Sequence, residues 1–210
     1  MTTEAELQAL RQRMSNVLMG PACASIAFSL PGLTIRPGGY MVIGASLAVP
    51  HASGRTTAAR RPMSVRVNTH LGRHVGASYS GSTNTISVPS ADFGVGADQC
   101  LSIVHESTHA VFDYFSIRAS AYIEEAAAYI AGALYHRFVM GVPFGSGIHG
   151  EAETIAAHIR APQRIGGTPN NVVTQDILDP LLAAIRTSPA YRFLREERRG
   201  YGYSQDGGAI

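Results

Sequence analysis

The chain has 210 residues, 17 Lys and Arg against 15 Asp and Glu, and 45% apolar residues, which suffices for one sizeable core. Its formal charge of +2 comes from scattered arginines rather than a basic stripe, so nucleic-acid binding has little electrostatic support. The longest apolar stretch, Val17 to Leu30, is broken by Gly20 and Pro21 and is too short to span a bilayer.

Residues 4–19 place Leu7, Leu10, Met14, Val17 and Leu18 on one side and stop at Gly20-Pro21, which predicts an N-terminal packing helix. Arg11 and Arg13 imitate the start of a secretory signal, but Glu4, Glu6 and the amphipathic pattern fit a surface helix better. Between Ser25 and Pro50, apolar runs such as Tyr40-Met-Val-Ile-Gly alternate with Pro-Gly and Gly-Gly breaks, predicting short strands and turns. Residues 51–62 read as an exposed loop. Strands are expected at Met63–Val67, His74–Ser80 and Thr83–Val88, the last two joined into a hairpin by Gly81 and Ser82. Asn84–Val88, closed by Pro89, reads as an edge strand to which an extended substrate would add, with an ordinary covering hairpin as the equal alternative. His70 and His74 are spaced four apart, but Gly72 argues against a helix and leaves them as loop histidines.

The next segment carries the chemistry. Leu101, Val104, Thr108, Val111, Phe112 and Phe115 recur at helical spacing, and Asp98 with the glycines before it supplies the N-cap region. On this helix lies His105-Glu106-Ser107-Thr108-His109. Residues i and i+4 share one face, so His105 and His109 can converge on a single metal ion. Glu106 is rotated about 100° away, which suits it to take a proton from a water on the metal and pass it to a leaving group. Zinc needs at least one more protein ligand and, in a catalytic site, one position left for water. The bland reading is of two hydrogen-bonded core histidines beside a solvated glutamate.

After a turn near Ser116 to Ser120, Ala121-Tyr-Ile-Glu-Glu-Ala-Ala-Ala-Tyr-Ile-Ala-Gly-Ala-Leu-Tyr-His predicts a second helix with two adjacent acids at its start. Over residues 84–140, HESTH followed by EEAAAYIAGALY resembles the gluzincin-type HEXXH zinc metallopeptidases, in which a glutamate of the following helix completes the site. The resemblance implies Zn2+ held by His105, His109 and a third ligand, and Glu106 as general base. It also implies a small residue three positions after the ligand glutamate, which Glu124 (with Ala127) and Glu125 (with Ala128) both satisfy. Glu125 is preferred because its helical face also carries Gly132, with Glu124 as the alternative; the bland role for either is favourable placement near a helix N-terminus. The metzincin pattern is excluded by Phe112 and Phe115, and the acid expected four residues after the ligand glutamate is replaced by Ala128 or Tyr129. Asp113 is available to orient a ligand imidazole, unless it pairs with Arg118.

Tyr79, His149, Tyr122 and Tyr129 are candidate oxyanion donors. His149 lies in a Gly-rich segment that reads either as a cleft rim or as a plain connection between helices. Residues 173–187 predict a further helix with Pro180 near an early turn. Arg195, Arg198 and Arg199, interrupted by Glu196 and Glu197, suit a solvated helix face, and the Gly-rich residues 200–210 read as a flexible tail or, equally, as a docking segment whose aromatics need a partner. Of the two cysteines, Cys100 falls on the zinc helix, where a buried free thiol is the plainer expectation.

The expected architecture is a single α+β domain over residues 1–210, helix-dominated and zincin-like, with a small, mainly antiparallel sheet before the HExxH helix. The expected function is zinc-dependent hydrolysis of peptide bonds in a peptide or protein substrate. The alternative is a zinc-binding interaction, effector or toxin domain without general peptidase activity. No segment states a cell address; the cytoplasm is favoured, with secretion or delivery to another cell as the alternative.

Overall fold

A computed structural model describes residues 2–49, 63–71, 76–143, 145–159, 171–192 and 194. The expected loop at 51–62, His74, the arginines at 195, 198 and 199, and the expected tail at 200–210 lie outside the described residues.

The first helix, α1 (Glu4–Met19), starts where Thr3 and Glu6 cap each other: Thr3 Oγ1 accepts the Glu6 N–H, and Glu6 returns an oxygen to the Thr3 N–H. It buries Leu10, Met14 and Leu18, the stripe its periodicity predicts, and stops at Gly20. A single turn, α2 (Pro21–Ala24), leads to the antiparallel pair β1 (Phe28–Leu30) and β2 (Leu33–Ile35).

The chain after β2 departs from the expected strands and turns. The Tyr40-Met-Val-Ile-Gly run is not a strand but the middle of α3 (Pro37–Ala48), with Pro37 in the first turn, where its missing N–H costs nothing. The run is too short for its period to distinguish strand from helix, and tertiary packing decides. A Cβ on Gly39 would stand 2.8 Å from Val111 Cγ1, and one on Gly44 would stand 2.8 Å from Met19 Cγ. The glycines therefore act as close-approach surfaces that let α3 nest on α1 and on the helix that carries Val111. Gly39→Ala is expected to lower stability by roughly 1 kcal/mol, since overpacking against a stiff β-branched side chain outweighs the gain in helix propensity. Thermal denaturation of Gly39→Ala, Val111→Ala and the double variant checks this, with the second change relieving the first.

Strands β3 (Ser64–Val67), β4 (Ser78–Ser80) and β5 (Thr85–Val88) form a sheet of order β3-β5-β4. The β4–β5 hairpin is antiparallel as expected, while β3 runs parallel to β5. This corrects the edge assignment: Asn84–Val88 contributes the central strand, and β4 is an edge. Pro89 ends β5 without making it peripheral, because the missing N–H falls beyond the last pair, Val67 with Val88.

Helix α4 (Ala97–Phe115) is capped at Gly96, inside the region expected from Asp98 and the glycines before it, and the Gln99 side chain accepts the N–H groups of Gly94, Val95 and Gly96. It ends at Ser116 in the left-handed conformation, φ 56°. Ser120 then caps α5 (Ala121–Met140), which ends on Gly141 at φ 68°. The Ala- and Gly-rich face of α5 lies against α4, where a Cβ on Gly132 would come within 3.3 Å of Leu101 Cγ. Helices α6 (Ile148–His158) and α7 (Gln175–Thr187) complete the helical layer, followed by a 3₁₀ turn at Pro189–Tyr191. The architecture is α+β and helix-dominated. Both cysteines are free and buried, and no helix among the described residues is long and apolar enough to cross a membrane.

Candidate metal centre

The helical period places His105 and His109 on one face of α4, with ring centroids 5.2 Å apart. The close approach of α5 sets Glu125 between them. One carboxylate oxygen of Glu125 lies 3.4 Å from His105 Nε2 and the other 3.5 Å from His109 Nε2. The three candidate donor atoms lie within 4.8 Å of one another, and all three residues are buried. This buried His-His-Glu group can hold a metal ion. The fit has support in one donor atom, because among the described residues His109 Nε2 is buried with no hydrogen-bond partner, a state that costs about 1–3 kcal/mol unless something satisfies the nitrogen.

The neighbouring acid is placed differently. Glu124 is half-buried in the first turn of α5, while the side chain of Glu125 is fully enclosed. The carboxylate that faces the histidines is therefore the one sharing a face with Ala128 and Gly132.

Glu106 is also buried, and one of its oxygens accepts the main-chain N–H of Tyr79, on β4, at 2.7 Å. Burial pushes its carboxyl up to about 7; nearby His105 opposes this, Glu125 adds to it, and the Tyr79 N–H opposes it again. Burial alone would depress both histidines. At His105, a hydrogen bond and charge from Glu125, together with the charge of Glu106, outweigh burial and lift it above the ordinary range. At His109 burial wins and brings it down to about 4, so its imidazole is neutral at pH 7, the form that ligates metals.

Comparison with protein-family models, curated proteins and solved structures finds no match.

The remaining candidates divide. Tyr129, four residues after Glu125, occupies the position where an acid was expected and sets its ring edge-on to His105, with centroids 4.7 Å apart. His149 lies in the first turn of α6, not in a loop, and its ring also packs edge-on with Tyr129, with centroids 5.0 Å apart. Burial and the charge of His105 lower its pKa. Tyr79 does not offer its phenol as an oxyanion donor, because that hydroxyl lies 2.9 Å from Asp113 Oδ2 and 3.0 Å from Asn84 Oδ1. Asp113 is accordingly engaged by Tyr79 rather than by an imidazole or Arg118. Tyr122 donates its hydroxyl to the Leu194 carbonyl at 3.0 Å.

One residue the sequence did not single out is Tyr191. Its hydroxyl lies 2.7 Å from that of Tyr129, and burial, then the charge of Glu125, raises its pKa and keeps it protonated. Nothing local signals this role, since Tyr191 is brought in by the fold of α7 against α5. The Tyr79 N–H contact with Glu106 was equally invisible, being a main-chain group.

Proposed function

We propose that the protein is a zinc metallopeptidase of gluzincin type, with His105, His109 and Glu125 holding Zn2+ and Glu106 acting as general base. The observation that carries this reading is the coincidence of a convergent His-His-Glu donor set with a second buried carboxylate, adjacent in sequence and fixed by a hydrogen bond to one of its oxygens. A purely structural metal site has no use for that carboxylate.

Two nitrogens and one carboxylate suit zinc with one position left for solvent. Zinc bound there would supply Lewis acidity, making a water more acidic and polarising a substrate carbonyl. The chain's own residues do the rest. Glu106, buried beside the donors with one oxygen held, is placed to accept a proton from water and return it to a leaving amine. The Tyr79 N–H holds one oxygen, leaving the other as the proton acceptor. Tyr129 packs against His105 and limits rotation of its ring.

A second reading, a zinc-stabilised interaction or effector module without peptidase activity, is favoured by the burial of the donors. One experiment separates the two. Metal-loaded protein is incubated with a mixed peptide library and the products are sequenced by mass spectrometry. The peptidase reading expects cleavage by wild type and none by Glu106→Gln; absence of cleavage, or cleavage that survives the substitution, overturns it.

A further inference from the structure

Glu106 and Asp113 are seven residues apart on α4, so they lie on nearly the same face two turns apart, about 10 Å along the axis. One residue of the sheet touches both. The main-chain N–H of Tyr79 donates to Glu106 Oε2, while its phenol reaches along the helix to Asp113 Oδ2. Asn84, in the left-handed conformation (φ 49°) at the end of the β4–β5 turn, meets the same phenol oxygen. A phenol carries one proton, so both contacts are satisfied together only when Asn84 turns its amide nitrogen toward the phenol.

The edge position of β4 matters here. In an antiparallel pair, main-chain groups alternate between facing the partner strand and facing away. Tyr79, opposite Ile86 of β5, turns its N–H away from the sheet and onto the helix. Where that N–H sits depends on how β4 lies across α4, and the phenol is its second point of attachment there.

We propose that Tyr79 is a positioning residue for the general base: its phenol, anchored on Asp113, lays β4 on α4 so that its own N–H fixes one oxygen of Glu106. This deepens the peptidase reading and rests on it for the role of Glu106, but the clamp itself is a structural statement with its own readout. Phenylalanine at 79 keeps the ring and loses the anchor; alanine at 113 removes the acceptor; asparagine at 113 retains one.

The test measures Tyr79 amide hydrogen exchange by NMR on metal-loaded protein, with kcat and KM on a cleaved peptide. Tyr79→Phe and Asp113→Ala are expected to speed Tyr79 exchange about tenfold, the loss of one hydrogen bond's protection. They are also expected to lower kcat roughly 10- to 100-fold while KM and metal content hold, as misplacement of a reacting group does. Asp113→Asn restores both. Wild-type exchange and kcat in Tyr79→Phe would overturn the clamp. Asp113→Ala is read in the same way should Tyr79→Phe fail to fold. Wild type that cleaves no peptide contradicts the peptidase reading, and the exchange comparison then still decides the clamp.

Discussion

Glu106→Gln is expected to cut peptide turnover by roughly 10²- to 10⁴-fold, the usual contribution of a positioned acid–base group, while metal content stays at the wild-type level. Glutamine keeps the volume and an oxygen for the Tyr79 N–H, so the loss isolates proton transfer. The same substitution has a second, opposite effect on stability. In metal-free protein the folded-state pKa of Glu106, about 7, lies above its unfolded value. Its contribution to stability is therefore complete below about pH 4.5 and is lost as pH rises through about 7. Glutamine has no proton to lose. Chelated Glu106→Gln should thus match chelated wild type near pH 4.5 and exceed it above pH 8 by on the order of 3 kcal/mol, less whatever His105 gains from the Glu106 charge. Denaturation of chelated wild type and variant at both ends of that range checks the sign. A variant that is no more stable at high pH would mean that the carboxylate is better solvated than its burial implies.

The second large effect is on metal linkage. Removing the ion with a chelator is expected to lower the melting temperature of wild type by roughly 10 °C, since binding at about a thousandfold excess over Kd is worth about 4 kcal/mol and a chain of this length shifts about 2–4 °C per kcal/mol. Glu125→Gln should abolish the response, because a neutral amide is a poor third ligand. Glu124→Gln should preserve it. Differential scanning fluorimetry with and without chelator reads all three proteins. A response lost in Glu124→Gln and kept in Glu125→Gln would mean that Glu124, not Glu125, is the third ligand.

The residues that were readable in sequence are those whose partners lie on the same helix or the next one. His105 and His109 follow from the helical period alone. Glu125 follows from the small residues that share its face, which also explain why α5 approaches α4 closely enough to bring it between the imidazoles. The α1 stripe and the β4–β5 hairpin were legible for the same local reason. The residues that were not readable depend on contacts between distant segments. Tyr40-Met-Val-Ile is helical because Gly39 and Gly44 fit against Val111 and Met19, a fact about surfaces far apart in the chain. Strand order is likewise not encoded in the Asn84–Val88 pattern: β3 reaches β5 from before the hairpin and makes it central. Asp113 looked like a partner for a histidine because it sits one turn past His109, yet Tyr79, from a strand that precedes the helix, claims it.

The peptidase reading requires His105, His109 and Glu125 to bind one metal ion, and the most direct test is elemental mass spectrometry on purified wild type and His109→Ala. The prediction is about one zinc per chain in wild type, lost in the variant. Wild type that holds no zinc after reconstitution, or a variant that retains it, would contradict the metal centre and, with it, the peptidase reading.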